Sequence, residues 1–127
     1  MNRGLSQALA TLFAKAGRSP VHLKELGLDY SSRCNFQKLR YWGLVEMYFD
    51  PSTRTRKSGW WQITEDGADF LKGFIEVPVR IWTFLGDVVD AEEQTTKIFD
   101  VWEGYTVRED WAKEARRHDD PQMALDI

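Results

Sequence analysis

Residues 39–71 read LRYWGLVEMYFDPSTRTRKSGWWQITEDGADFL, and two apolar segments in this stretch flank a polar one. The segments LVEMYF (44–49) and WWQI (60–63) are rich in β-branched and aromatic residues, which favour strands. Between them, DPSTRTRKSG (50–59) contains turn-forming residues and three cations, with no hydrophobic side chain. The pattern predicts a β-hairpin whose connecting loop is long and basic.

Helix signals stand on both sides of this hairpin. Gly43 follows a segment with an apolar face and is placed as a left-handed helix terminator. Thr64 is a helix cap, and the two acids after it suit the positive end of the helix dipole. The helix that it opens has Phe70 and Leu71 on its apolar side and is expected to end at Gly73.

The first 43 residues contain start and stop signals for three helices. The first helix ends at Gly17 and has one apolar stripe, formed by Leu5, Leu9, Leu12, Phe13 and Ala16. Ser19 and Pro20 are expected to open a short second helix, VHLKEL, which stops at Gly27. A third helix is expected over residues 31–42.

This succession resembles MarR-like and PadR-like winged-helix regulators over residues 5–73. The shared pattern is Leu-(x)3-Gly-Leu-Val, a basic wing, and then Leu/Ile-Thr-x-x-Gly-(x)2-hydrophobic-Leu. Its positions in this chain are Leu39, Gly43, Leu44, Val45, Ile63, Thr64, Gly67, Phe70 and Leu71. The resemblance implies an α+β winged helix-turn-helix domain over residues 1–73, with three helices, a wing hairpin and a fourth helix, and it implies binding to double-stranded DNA. The chain departs from the family at the first strand of the wing sheet, for which only residues 18–20 are left.

The resemblance stops at Gly73, and an acidic extension that packs on the domain is predicted for residues 74–117. Its segment VPVRIWTFLGDVV (77–89) alternates between apolar side chains and others, as strands do. Gly86 and Asp87 fit a two-residue hairpin turn with glycine first. A small β-hairpin is therefore expected in this extension.

A helix is expected after the hairpin, and a tail after the helix. Thr106 and Glu109 form a capping box. The residues expected on one face of the helix are Val107, Trp111, Ala112 and Ala115. Residues 118–127 have no periodicity and are expected to be a flexible tail.

The net charge of −3 hides an asymmetry between the two halves of the chain. Residues 1–62 hold ten Lys and Arg against four Asp and Glu, a net charge of +6. Residues 63–127 hold seven cations against sixteen acids, a net charge of −9. This asymmetry predicts two surfaces with different partners, and the basic one suits a polyanion.

Residues 31–43 and 51–59 together contain six cations and no acid. Phe36 and Leu39 are expected to face the core, which leaves the opposite helix face for DNA. Arg33 and Gln37 are predicted to read bases, because arginine and glutamine bond guanine and adenine edges bidentately. The other polar side chains suit the phosphate backbone. The predicted DNA-binding residues are Ser31, Arg33, Gln37, Lys38, Tyr41, Arg54, Arg56 and Lys57.

Few residues of the chain suggest catalysis. His22 and His118 stand far apart in sequence, and the single Cys34 can form neither an intrachain disulfide nor a thiolate zinc site. The sequence contains no phosphate-binding loop, nucleophile elbow or metal-ligand spacing. It predicts a non-enzyme without cofactor or metal. The lack of a long apolar run and of a signal peptide predicts a cytoplasmic protein with no membrane contact.

Two functions are left open by the sequence. One is sequence-specific DNA binding as a small transcriptional regulator. The other is a winged-helix module that binds a protein partner through its acidic C-terminal half. The chain also resembles small proteins of bacteria and their phages, in which either role occurs. The oligomeric state, including a homodimer, is open as well.

Trp60 and Trp61 bear on where the extension lies. Adjacent residues of a strand point to opposite faces, so only one of the two rings packs on the helices. The other needs cover from the C-terminal hairpin, a second subunit or a foreign partner, and cover by the chain's own extension is expected. If the extension lies behind the hairpin in this way, the acidic half is turned away from the DNA-binding face.

Overall fold

The computed structural model describes residues 1–114, so His118 and the predicted tail lie outside the described part of the chain. The fold is α+β. Its helices are α1 (Arg3–Ala16), α2 (Tyr30–Asn35), α3 (Glu65–Leu71), α4 (Ile98–Val101) and α5 (Glu109–Ala112), with 3-10 segments at Leu23–Leu26 and Phe36–Trp42. Its strands are β1 (Val21–His22), β2 (Val45–Asp50), β3 (Thr55–Ile63), β4 (Val77–Pro78), β5 (Ile81–Phe84), β6 (Asp87–Ala91) and β7 (Thr95–Thr96). Among residues 1–114, no helix is long and apolar enough to cross a membrane.

The first helix begins and ends where its terminal backbone groups find partners. Asn2 Oδ1 accepts a hydrogen bond from the N–H of Leu5 at 2.9 Å. Gly17 ends the helix as predicted, with a φ of 57°. The apolar stripe is confirmed by the burial of Leu5, Leu9, Leu12 and Phe13. With this stripe α1 packs against α2, α3 and β3.

Strands β1, β3 and β2 form an antiparallel sheet with β3 in the centre. Val45 pairs with Ile63 and Met47 with Trp61, so these four side chains lie on one face of the sheet. Three of them are buried and Met47 is half-buried. Phe36 meets the Trp61 ring nearly edge-on, with 5.7 Å between the ring centroids. This face of the sheet therefore closes the core.

The predicted second helix is wrong. Its first two residues form β1, and only Leu23–Leu26 make a 3-10 turn. His22 rather than Ser19 caps this turn, because its Nδ1 accepts a hydrogen bond from the N–H of Lys24 at 3.2 Å. β1 also supplies the first strand of the sheet, slightly later in the chain than the resemblance implied. Pairing along β3 gives these residues backbone hydrogen bonds that outweigh a weak local helix signal.

The loop of the β2–β3 hairpin, hereafter the basic hairpin, is shorter than predicted. β3 begins at Thr55, so two of the three predicted loop cations belong to the strand. Asp50 Oδ1 accepts hydrogen bonds from the hydroxyl and the N–H of Ser52, at 2.7 and 2.9 Å. These bonds, the hydroxyl's above all, lower the pKa of Asp50. The turn is therefore held by local hydrogen bonds and leaves only residues 51–54 between the strands.

The predicted third helix consists of two unlike parts. Asp29 caps α2, and from Phe36 the chain continues as a 3-10 segment that ends at Gly43 with a φ of 73°. A 3-10 helix has three residues per turn, so side chains three residues apart line up. Phe36 and Leu39 form the inward row and are both fully buried, as predicted.

Close packing of α3 explains the glycine in its first turn. Thr64 caps the helix as predicted, since its Oγ1 accepts a hydrogen bond from the N–H of Gly67 at 3.0 Å. The same hydroxyl donates to the carbonyl of Gly43 at 2.6 Å. A Cβ at position 67 would lie 2.2 Å from the carbonyl oxygen of Leu44 and 2.6 Å from Cγ1 of Ile63. Only glycine lets α3 approach the sheet this closely.

Two further strand pairs lie in the C-terminal part, β4 with β7 and β5 with β6. We call β5–β6 the C-terminal hairpin. Its turn was predicted one residue too late, because Phe84 pairs with Asp87 and the turn residues are Leu85 and Gly86. Their φ values of 51° and 84° are both positive, as in a type I′ turn.

The short helices of the C-terminal part complete the core. Ile98 of α4 and Trp111 of α5 are buried, together with Val77 of β4. The Trp111 ring lies on Phe13 of α1, with 4.9 Å between the ring centroids. One core cluster thus contains residues from both predicted units.

The predicted capping box is wrong. The helix begins only at Glu109, and Arg108 occupies the cap position without a side-chain capping bond. Thr106 therefore lies before the helix. Of the residues predicted on its inner face, Trp111 is buried and Ala112 is exposed. The others are Val107, which is half-buried, and Ala115, which lies outside the described residues.

Candidate nucleic-acid interface

A groove separates α2 and the second 3-10 segment from the basic hairpin. Its volume is about 290 Å³, and its lining consists of Leu23, Arg33, Cys34, Gln37, Met47, Ser58, Gly59 and Trp61. Arg33 and Gln37 are exposed and belong to the helical side, while Ser58 and Gly59 belong to the strand side. The two residues predicted to read bases therefore share one groove, which we call the helix–hairpin groove.

Ser31 and Lys38 line a different cavity. It has a volume of about 370 Å³ and its other lining residues, Asn2, Gly4, Leu5, Ser32 and Asn35, come from α2 and the start of α1. Ser31 and Lys38 are both exposed. The structure therefore places these two residues apart from Arg33 and Gln37.

The 3-10 geometry changes which side chains line up with Gln37. With three residues per turn, Gln37 shares a row with Arg40, and Lys38 shares a row with Tyr41. The guanidinium carbon of Arg40 lies 5.0 Å from the centroid of the Tyr41 ring, and its Nη2 donates to the Tyr41 hydroxyl at 3.2 Å. Arg40 is exposed and Tyr41 is half-buried. Arg40 therefore belongs to the candidate interface.

Sequence reasoning missed Arg40 because an α-helical period of 3.6 places Gln37 beside Tyr41 instead. A signal was present in the sequence. Apolar residues recur at intervals of three, at Phe36, Leu39 and Trp42, as a 3-10 helix requires.

The three cations of the basic hairpin are spread along its length. Arg54 is exposed in the turn and has a left-handed backbone, with a φ of 57°. Arg56 donates from Nη1 to the carbonyl of Met47 at 3.0 Å, so its guanidinium crosses to the neighbouring strand. Lys57 Nζ lies 4.5 Å from the centroid of the Trp60 ring. The positive charge therefore extends from the turn into β3.

Trp60 and Trp61 point to opposite faces, as predicted, but the cover of Trp60 differs from the expectation. Trp61 packs in the core, whereas Trp60 is half-buried on the outer face. The ring contacts of Trp60 are with His22, edge-on at 5.7 Å, and with Lys57. Elements of the sheet itself, rather than the C-terminal extension, lie against this ring.

The C-terminal hairpin reaches the basic surface. A second groove, of about 490 Å³, is lined by Arg40, Tyr41, Val45, Glu46, Met47, Arg56, Trp61, Gly86, Asp87 and Val88. Asp87 therefore lines the same groove as Arg40 and Arg56. The expectation that the acidic half is turned away from the basic face is wrong at this point.

The cations near the two grooves are free of ion pairs to the rest of the described chain. Ion pairs in residues 1–114 join Arg18 to Glu65 and Glu114, and Lys72 to Glu114, with two more around α5. None of them includes Arg33, Lys38, Arg40, Arg54, Arg56 or Lys57. Their charge is available to a negatively charged partner.

Groups suited to catalysis or metal binding are sparse in the described region. Between residues 1 and 114, no three His, Cys, Asp or Glu side chains are grouped as metal ligands. Cys34 is exposed, and His22 is engaged as a cap. Comparison of the chain with protein-family models, curated proteins and solved structures found no significant match.

Proposed function

We propose that this chain is a winged helix-turn-helix protein that binds double-stranded DNA in a sequence-specific manner, as a small transcriptional regulator. α2 and the second 3-10 segment enter the major groove, which is wide enough for one helix. The basic hairpin is the wing and contacts the DNA backbone. The order of helices and strands up to α3, together with the β1–β3–β2 sheet, supports this arrangement.

The observation that carries this function is the helix–hairpin groove with its surrounding charge. Arg33 and Gln37 are exposed on one side of the groove, and both side chains can bond a base edge through two atoms. Arg33 lines this groove, Arg40 and Arg56 line the neighbouring one, and none of the three forms an ion pair within residues 1–114.

A salt titration tests the role of the wing. On duplex DNA, removing one protein–phosphate contact reduces the slope of log affinity against log salt by about 0.9. We therefore expect the triple variant Arg54→Ala, Arg56→Ala, Lys57→Ala to weaken binding to random duplex and to flatten this slope by up to about 2.7. A control triple, Arg80→Ala, Lys97→Ala, Lys113→Ala, removes the same charge from exposed positions elsewhere. Equal slopes for the two triple variants would refute the wing assignment.

A selection experiment tests the reading of bases. Sites enriched from random duplex by the wild-type chain are compared for binding by Arg33→Ala, Gln37→Ala and Lys38→Ala. Removing a bidentate base contact costs about 1–3 kcal/mol of discrimination at one position, whereas removing a phosphate contact weakens all sites alike. We expect the first two variants to relax the preference at particular base pairs and the third to weaken binding uniformly. If no sequence is enriched, specific DNA binding is excluded.

One observation favours the protein-interaction module as a second candidate. Asp87 lines a groove with Arg40 and Arg56, and a carboxylate there repels a DNA backbone. In the module, the acidic C-terminal hairpin and this groove bind a protein. The variants Asp87→Asn and Asp90→Asn separate the two functions, because removing negative charge strengthens DNA binding and weakens an interaction that uses the carboxylates. Stronger binding to random duplex by both variants therefore supports DNA binding.

A further inference from the structure

The C-terminal hairpin leaves an unusual amount of apolar surface in solvent. The exposed fractions are 48% for Trp82, 66% for Phe84, 87% for Leu85, 48% for Val88 and 62% for Val89. These side chains lie on both faces of the hairpin, since Val88 is paired with Thr83 between Trp82 and Phe84, and together they leave on the order of 500 Å² exposed. A two-stranded hairpin is also marginally stable by itself. The surface of the hairpin is therefore typical of an element that packs against a partner.

The turn at the tip of the hairpin also favours a contact with a partner. Leu85 has a φ of 51°, in the left-handed region where asparagine and glycine are usual and leucine is rare. Leucine there is also the most exposed of the large apolar residues. A leucine at this position strains the backbone and exposes apolar surface to water. It is better explained by a contact with a partner than by the needs of the turn.

The two edges of the hairpin differ in chemistry. Glu92 donates its N–H to the carbonyl of Arg80 at 3.0 Å, and hydrogen-bonding direction alternates along antiparallel strands. The backbone groups of Ile81 and Thr83 therefore point away from β6, along an edge with which no strand of residues 1–114 pairs. β5 reads IWTF and has no charge or proline, whereas β6 reads DVVDA and has two acids. Edge strands are normally protected by charges or proline, so β5 is the unprotected edge.

The position of the hairpin leaves the same edge accessible. Its residues that line the groove beside Arg40 and Arg56 are Gly86, Asp87 and Val88, from the turn and β6. No residue of β5 (81–84) belongs to that lining. Ile81 is half-buried, whereas residues 82–84 and all of β6 are exposed, so the accessible part of the β5 edge is residues 82–84.

We propose that the C-terminal hairpin is a homodimerisation element, in which β5 pairs with β5 of a second copy of this chain. The strands run antiparallel about a two-fold axis and form one four-stranded sheet, β6–β5–β5–β6. The axis passes through Thr83, which then faces Thr83 of the other copy. Trp82 of each copy lies opposite Phe84 of the other, and such aromatic cross-strand pairs stabilise sheets. In this register the outward backbone groups of Thr83 meet those of Thr83 in the other copy, and those of Ile81 lie opposite Leu85.

Charge identifies a second copy as the occupant. Pairing through β5 places both β6 strands, with Asp87 and Asp90, at the outer edges of the new sheet. These edges lie three strand spacings apart, about 14 Å, which exceeds the Debye length at physiological salt. Pairing through β6 would set like charges against one another instead. The buried area of roughly 1,000 Å² in total is at the low end for a specific interface, so we expect a dimer of micromolar affinity.

Sedimentation of the full chain over about 1–500 µM tests the proposal. We expect reversible association to a dimer, with a dissociation constant raised by about 100-fold in Thr83→Pro, because proline removes an edge N–H in both copies. The register shift between Trp82 and Thr83 places Val88 opposite Thr83, in the pair next to the turn, so the N–H of Val88 points away from β5. The control Val88→Pro removes this N–H on the other edge and keeps the wild-type constant. A wild-type chain that stays monomeric would overturn the proposal and assign the hairpin to a foreign partner. Equal constants for the two proline variants would overturn it too.

Disulfide trapping tests the register without a proline. In a Cys34→Ser background, Thr83→Cys places two thiols opposite each other across the axis, about 5.5 Å apart between Cα atoms, which a disulfide can span. The control Asp90→Cys, in the same background, sits on an outer strand, too far from its counterpart. We expect oxidation to yield a covalent dimer for the first variant and a monomer for the second. Equal yields, or a higher yield for Asp90→Cys, would contradict β5 pairing.

Discussion

Phe36→Ala is expected to destabilise the fold strongly, because this side chain joins the second 3-10 segment to the sheet. Phe36 is fully buried, and its ring meets Trp61 at 5.7 Å between centroids. Truncation of a buried phenylalanine to alanine costs about 3–5 kcal/mol, which includes the cavity left behind and the removal of the aromatic pair. A small domain has about 5–15 kcal/mol of stability in all. A loss of at least about a fifth of this stability should lower the denaturant midpoint strongly.

Urea unfolding followed by tryptophan fluorescence and by circular dichroism measures this effect. Two controls separate burial from position in the chain. Cys34→Ala, two residues earlier on the exposed side, should change the free energy of unfolding by less than about 0.5 kcal/mol. Phe36→Leu keeps most of the buried surface and should fall between the two. A Phe36→Ala variant within about 1 kcal/mol of wild type would show that the segment is rotated and that Gln37 and Arg40 do not share the exposed row.

Two further predictions concern packing and pH. Gly67→Ala normally favours a helix, but here it should destabilise the protein by about 1–3 kcal/mol, because the new methyl group overlaps the carbonyl of Leu44; a rise in the thermal midpoint would contradict this packing. Glu114 is hydrogen-bonded to buried Lys72 and to Arg18, and these bonds lower its pKa. The stability that Glu114 contributes is therefore fully present above the pKa of about 4.3 that this group has in the unfolded chain. It is lost as the pH falls through the lower pKa that the group has in the folded chain. Glu114→Gln should lower the free energy of unfolding at pH 7 by about 1 kcal/mol, a modest figure because the carboxylate is 38% exposed. The variant should also lose less stability than the wild type as the pH falls. An unchanged dependence of stability on acid pH would refute this role of Glu114.

Much of the local structure could be predicted from the sequence. The cap at Thr64, the ends at Gly17 and Gly43, and the inward residues Phe36 and Leu39 all agree with the structure. Each of these features depends on a bond or a backbone angle within about four residues, or on the periodicity of one helix. The residue types and the charge of the candidate site could also be predicted, because they are properties of single segments of the sequence.

Features that depend on distant parts of the chain were decided by the tertiary structure. Val21 pairs with Trp61, and this pairing turns an expected helix into a strand. Ser31 and Arg33 both lie in α2, and the start of α1 beside this helix gives Ser31 a cavity separate from the groove that Arg33 lines.

The approach of Asp87 to Arg56 could not be predicted either. Side chains some thirty residues apart meet only through the packing of the elements between them. Composition and periodicity describe single segments, so the sequence by itself determined the elements and their charges. Only the folded chain decided which of those charges face one another, because backbone pairing and core packing act between segments that are remote in sequence.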